Sequence, residues 1–363
     1  MPLNASGPIS LAGSTAGQSI SNEFRSLTTS TASLSQYYRG GTYVANHPTN
    51  APVSTSGAIN LGSFRGTSKR YIVTLTISSN TTNYNLQTSS VSGYTSGWTD
   101  VTVNINSGVT VNASGGNSSF TVTGFASADT ILISNSGTIQ GAGGGGGSPD
   151  GGAGNHAINL SPATYSNVRI TNNSGGIIAG GGGGGGRGMA IRGYQTDAYG
   201  GVITSSDTYM RGGGGGGGAG NPAGSGSAVV GTGSGTYYNY LGSAGAGGSG
   251  STTAGGGGGA GDSGYTGTLS NYYLMYAGAG GAGGARGASG GGGNQGYLNG
   301  PPGIVYIPTN GTATAAYPTS GTKGVMQSGS NYGSGGAAGY AIIGTSKLSQ
   351  AITNNGTVYG PQG

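Results

Sequence analysis

The sequence predicts a mainly β and irregular fold with three parts. These are a small N-terminal region, a β-sandwich-like connector and a C-terminal bundle of packed polyglycine-II helices with long loops. Three observations carry that expectation. Nearly pure glycine runs at 143–147, 180–186, 212–218, 255–259 and 290–293 bring glycine to 88 of 363 residues, well above the usual level of about 7%. β-Branched, alternating segments precede the runs, and tyrosine-rich segments separate them. The parts divide at 1–56, 57–140 and 141–363.

Composition narrows the function. Charged residues are 5% of the chain, with 23 Tyr and no Cys. Disordered chains are highly charged and poor in aromatics, so disorder fits poorly. The net charge is +5, and the one local cluster is Arg65, Lys69 and Arg70. That is too sparse to track a phosphate backbone, so no nucleic acid is expected, and the cluster reads as a solvated loop before a strand. Without Cys there are neither disulfides nor thiolate sites. The start MPLNASGPIS lacks the basic and apolar parts of a signal peptide. No apolar stretch nears the roughly 20 residues that span a bilayer. The expectation is a soluble chain that does not insert into membranes and does not leave the cell by the usual signal.

In the first region, Ile20, Phe24, Leu27, Thr31, Leu34 and Tyr38 follow steps of four and three. They form one helical stripe. The Ser and Thr between them are poor helix formers, so the stretch reads as a short, weak helix needing a partner, or as an irregular arm.

In the second region, Tyr71–Ile77 alternates as a strand, and 101–111 reads as a hairpin around Asn106-Ser107-Gly108. Phe120–Phe125 and Ile131–Ile133 continue the pattern, and Trp98 reads as a core or edge anchor. Two repeats frame the chain. Ser-Gly-x-Ile-x-Leu occurs at 6–11 and 56–61. An Asn-Gly turn unit occurs at 131–139, 168–178 and 351–358. The last copy implies that the chain end returns to the start of the glycine-rich region.

In the third region, a glycine run cannot build an apolar core, and as an α-helix it is costly. It can adopt polyproline-II geometry, with three residues per turn and about 3.1 Å rise, and bond to neighbouring runs on all sides. Flexible linkers are the alternative, and they would separate the runs by featureless polar material. The intervening segments are aromatic and diverse instead. Tyr with Ser, Gly and Asn is a recognition palette, because tyrosine gives contact area at low entropic cost. The candidate binding residues are Tyr194, Tyr199, Tyr209, Tyr237, Tyr238, Tyr240, Tyr265, Tyr272, Tyr273 and Tyr276, with Arg192, Asp197 and Asp207. Capping the bundle ends is the competing role for these tyrosines. Arg187, Arg211 and Asp262 would tune specificity.

The blocks GAGGGGG at 141–147, AGGGGGGG at 179–186, GGGGGGG at 212–218 and GGARGASGGGG at 283–293 alternate with aromatic segments. This arrangement over 141–363 resembles the tip adhesins of T-even-like bacteriophage long tail fibres. The resemblance implies a sandwich of polyglycine-II helices whose loops bind host outer-membrane proteins or surface glycans. The stretches ASGPISLAGSTAGQSI at 5–20 and SGAINLGSFRGTSK at 56–69 are similar to short phage tail proteins, a departure from the simplest tip adhesin. They imply that the N-terminal region attaches to other tail or fibre proteins of the virion. The protein would then act at the outer surface of a Gram-negative host.

Catalytic chemistry has thin support. The chain holds His47, His156, a single Glu at 23 and dispersed aspartates. Asp197 and Asp207 could form a glycosidase pair, but turn or loop roles suit them better. His47 reads as solvated in a Pro-rich linker, and His156 as a surface or packing residue. No spacing suits a metal, and no phosphate loop or other cofactor motif is present. The expectation is a non-enzymatic adhesin without cofactors. A purely structural virion tail component is the alternative, and an ice-binding glycine-rich protein fits less well because the segments between runs are irregular.

Overall fold

A computed structural model describes residues 2–29, 33–147, 149–163, 167–196, 202–229, 234–235, 240–242, 245–261, 263–268, 271–299, 305–306, 312–316, 323–328 and 332–363. The chain is mainly β, and its helical content is one short α-helix and brief 3-10 turns among the described residues.

The N-terminal region builds its own core from Leu3, Ile20, Phe24, Tyr37, Val44, Val53 and Phe64. Phe24, Tyr37 and Phe64 meet edge to face at centroid distances of 6.1 to 6.5 Å, a favoured aromatic arrangement. The two Ser-Gly-x-Ile-x-Leu copies bring Ile9, Leu11 and Ile59 against this core. The helical stripe is realised only as α1, Ile20–Arg25. Ser19 caps it by accepting the Asn22 N–H, and Ser26 at φ 57° ends it. Past that stop the four-three spacing fails: Leu27 is exposed, and Tyr37, not Tyr38, is buried. Thr31 lies outside the described residues.

The connector is not sandwich-like. It is the first part of a longer coil, whose strands are β1 (Tyr71–Ile77), β2 (Thr81–Thr82), β3 (Tyr84–Leu86), β4 (Thr99–Ile105), β5 (Thr110–Asn112), β6 (Phe120–Val122), β7 (Thr130–Asn135) and β8 (Thr138–Gln140), followed within 141–363 by β9 (Ile158–Asn159), β10 (Val168–Asn172) and β11 (Ile177–Ala179). They pair in parallel, and each turn of the chain gives one strand to each of three sheets. Later chain completes the coil. Ile342–Ile343 joins β9, Thr353–Asn354 joins β10, and Thr357–Tyr359 joins β11. The expected hairpin at 101–111 is therefore a corner between two sheets, with Gly108 at φ 78° making the bend. Alternation directs Val101, Val103 and Ile105 inward, where they are buried with Ile131, Ile133 and Ile170. Burying each such side chain contributes about 1.5–3 kcal/mol.

The Asn-Gly units are successive turns of this coil. Asn135 donates to Asn172 at 2.8 Å, and Asn172 donates to Asn354 at 2.9 Å. This side-chain ladder satisfies buried amides at one corner. Arg70, expected in a solvated loop, instead fastens the entry to β1 onto the neighbouring turn of the coil. It pairs with Asp100 at 2.7 Å and donates to the Gly97 and Thr99 carbonyls.

The glycine segments leave the coil between β8 and β9 and again after β11. Their main chains bond to one another with a three-residue repeat. The N–H groups of Gly182, Gly185 and Gly188 donate to Ala219, Gly216 and Gly213. Those of Gly181, Gly184 and Arg187 donate to Asn155, Gly152 and Pro149. Gly183 and Gly186 donate to Ala288 and Gly291. The same run accepts from 144–147, from 281–287 and from 333–339, so it is surrounded on all sides by backbone. Run 212–220 is surrounded in the same way, by 141–144, 182–188, 224–227, 245–251, 256–259 and 278–284. A Cβ at Gly184 or Gly216 would overlap a neighbouring carbonyl, whereas one at Gly257 would meet nothing within 4 Å. The two seven-residue pure runs are thus the central ones. Outer segments carry small residues at every third position, as at the exposed Ser225 and Ala228 or Ala282 and Ala285.

Candidate functional site

The glycine segments alternate in direction, so the stack has two distinct ends. At one end, Gly141 donates to Ala179, Gly180 to Tyr359 and Ala113 to Asn221, which places this end on the coil. The connections there are tight, at 221–223, 252–254 and 285–287. At the opposite end, Arg187, Gly213, Gly245, Gly278 and Gly333 lie at one level, joined by bonds such as Gly213 to Gly278 and Gly333 to Arg187. The long connections 191–210, 230–244, 262–276 and 297–332 all depart from this distal end.

These connections contain strands where irregular loops were expected. They are β12 (Ile191–Thr196), β13 (Val202–Met210), β14 (Ser234–Gly235), β15 (Tyr240–Gly242), β16 (Ser263–Thr268), β17 (Asn271–Tyr276), β18 (Tyr297–Asn299), β19 (Val305–Tyr306), β20 (Thr312–Ala316) and β21 (Lys323–Ser328). Two antiparallel sheets result, ordered β14-β13-β12-β21-β20 and β15-β16-β17-β18-β19. The reason is compositional: the Tyr and Thr of the recognition palette are also strand formers. β16 lies against β12 and β13, so the two sheets adjoin. Buried Ile191 and Met210 face each other in register where the first sheet meets the glycine stack.

Several expected binding residues come together on this frame. Arg192 and Tyr209 are register partners between β12 and β13, with Tyr194 on β12 and Asp207 on β13 nearby. In the second sheet, Tyr265 is opposite Leu274, Tyr272 opposite Gly267, Tyr273 opposite Thr266, and Tyr276 opposite Tyr297. Tyr240 stands on edge strand β15. Asp197, Tyr199, Tyr237, Tyr238 and Asp262 lie outside the described residues. Tyr297 and Tyr306 belong to the same sheet but were not singled out in the sequence. Their signal was the tyrosine-bearing segment 297–326, which offered no periodicity to rank its residues.

The two histidines differ from one another, and His47 departs from expectation. His47 is buried, not solvated. It stacks on Tyr71 at 5.6 Å and shares a 3.0 Å hydrogen bond between Nε2 and the Asn50 amide. Burial lowers its pKa below the ordinary 6.5, reinforced by the charge of Arg70 against opposing backbone bonds at Lys69 and Ser68. His156 is partly buried on the coil, and its Nδ1 accepts the Tyr340 N–H at 3.0 Å. Burial lowers its pKa as well. Among the described residues no group of His, Asp or Glu could hold a metal ion, and no helix is long and apolar enough to cross a membrane.

The family model of the phage tail fibre adhesin Gp38 matches residues 72–279, more than half of the sequence. The chain belongs to this phage tail fibre adhesin family. Comparison with curated proteins and comparison with solved structures each returned no match. Membership assigns the protein to the virion tail as an adhesin, a class that works by binding to the host surface and to other tail proteins.

Proposed function

We propose that this adhesin reads the surface of a Gram-negative host through the tyrosine-bearing strands and connections at the distal end of the glycine stack. The receptor is an outer-membrane protein or a surface glycan. The observation that carries this reading is directional: every long aromatic insertion leaves the stack at the end opposite the coil. The stack itself is a polyglycine-II lattice, supported by the three-residue repeat of its main-chain bonds and the exclusion of side chains at its centre. Tyrosine supplies contact area and a hydroxyl, with Arg192, Asp197 and Asp207 adding selectivity. Residues 1–56 attach the protein to the tail or fibre, 57–140 connect, and 141–363 carry recognition. The protein binds without catalysing a reaction and uses no cofactor.

The test replaces 197–201 together with 268–271 by short Gly-Ser connections and measures phage adsorption alongside thermal melting. Adsorption should fall by at least about tenfold, equivalent to about 1.4 kcal/mol of binding, with melting unchanged. Full adsorption with both segments replaced would refute the reading and leave a purely structural tail component.

A further inference from the structure

Away from the distal sheets, the third face of the coil carries a cleft of about 410 Å³. That volume falls within the range of small-molecule sites, about 300–1,000 Å³. Its floor is a row of residues in register across three parallel strands, Asn85 on β3, Thr121 on β6 and Asn159 on β9. Asn83, Asn117 and His156 border it. No charged or apolar side chain lines it.

The lining has a specific hydrogen-bonding character. Each Asn amide offers a carbonyl acceptor beside an NH₂ donor. Because His156 Nδ1 already accepts the Tyr340 N–H, its remaining proton belongs on Nε2. Accepting that N–H takes the neutral ring, and burial disfavours the charged form. Its orientation is held by the Tyr340 ring, edge-on at 5.3 Å. Asn83 is held on both amide atoms, accepting the Ser114 N–H at 2.8 Å and donating to the Ser114 hydroxyl at 2.9 Å. Asn159 accepts the Ser161 N–H at 2.9 Å, which leaves its NH₂ as a donor. The site is an uncharged array of donors and acceptors on a parallel sheet, with Asn83, Asn159 and His156 held in place and Asn85 and Asn117 exposed.

We propose that this cleft is a second binding site that takes a neutral saccharide unit. Adjacent sugar hydroxyls each donate and accept, and paired amides complement them without charge. Phosphate, carboxylate or cationic ligands would meet no counter-charge here. An apolar ligand would cover the Asn159 NH₂ and the His156 Nε2–H without pairing them, at about 1–3 kcal/mol each. The sugar comes either free or as a residue of a bacterial surface polysaccharide. This site does not depend on the distal strands.

The experiment is saturation-transfer NMR on the full chain with glucose, galactose and N-acetylglucosamine, and in a second arm with delipidated host surface polysaccharide. It is repeated on Asn85→Ala/Asn117→Ala and on Thr121→Tyr, which fills the floor with a good strand former. A further variant shortens the connection between β16 and β17. We expect transfer to at least one probe, weakened by about tenfold or more in the two cleft variants at unchanged melting temperature, and retained in the shortened variant. Transfer from the polysaccharide alone, lost in the cleft variants, identifies a polymer as the source and supports the site equally. Absence of transfer from every probe, or transfer undiminished in both cleft variants, overturns it.

Discussion

Glycine at the centre of the stack is required because neighbouring carbonyls fill the space a Cβ would take. Gly184 and Gly257 make the contrast: one faces the Gly145 carbonyl and the other faces open space. Gly184→Ala should cost about 3 kcal/mol, in the upper range for forced overpacking. Gly257→Ala should stay within about 0.5 kcal/mol. Urea denaturation of the two variants checks both values. The sequence led to the expectation of a glycine scaffold, since aromatic segments between runs argued against linkers. It could not show which glycines were indispensable, because that depends on which neighbours surround each run.

The histidines give a second residue-scale prediction. Both have folded-state pKa values pushed below 6.5, chiefly by burial. Above that value both states are neutral, and the full stability is present. As the pH falls through 6.5 the unfolded chain takes up protons that the folded chain refuses, so stability drops towards the lowered folded-state values. Melting temperature should therefore be flat from pH 8 to about 7 and decline towards about pH 5. His47→Gln should reduce the decline. An unchanged slope in that variant would place the effect elsewhere. Reading His47 as solvated failed because its neighbour Pro48 suggested a linker, whereas Asn50 and Tyr71 enclose it.

At the scale of elements, the Asn-Gly units were visible in the sequence, but their assembly was not. A turn flanked by two short apolar segments reads as a hairpin in isolation. Only the register of Asn135, Asn172 and Asn354 reveals parallel stacking. The repeat was hidden because 141–157 and 180–341 interrupt successive turns of the coil. Asn172 is fully buried and also donates towards the Gly176 and Thr357 carbonyls. Asn172→Ala should thus destabilise the coil by about 3 kcal/mol, since it leaves buried partners unsatisfied. Equilibrium unfolding measures this, and a loss under about 1 kcal/mol would show that the ladder adds little. The helix α1 was legible in kind but not in length, because the left-handed Ser26 stops it before Leu27. The distal strands were read as loops because Gly and Ser interrupt their alternation.

At the scale of the molecule, the proposed function links stability to recognition. A coil of parallel strands buries a continuous apolar core, and a stack with no such core grows from one of its corners. The stack is held by main-chain bonds in three directions, so its distal end is a fixed platform for two small sheets. Which segments shared an end was not legible in the sequence. That property follows from the alternating directions of segments far apart in the chain.

Amide hydrogen exchange across the glycine runs examines this design. If the lattice is rigid, amides at 181–188 and 213–220 exchange as slowly as those of β4 and β7 in the coil, and far more slowly than the connections at the distal end. Exchange in those two runs at the rate of an unstructured chain would contradict the design and remove the platform on which the proposed recognition rests.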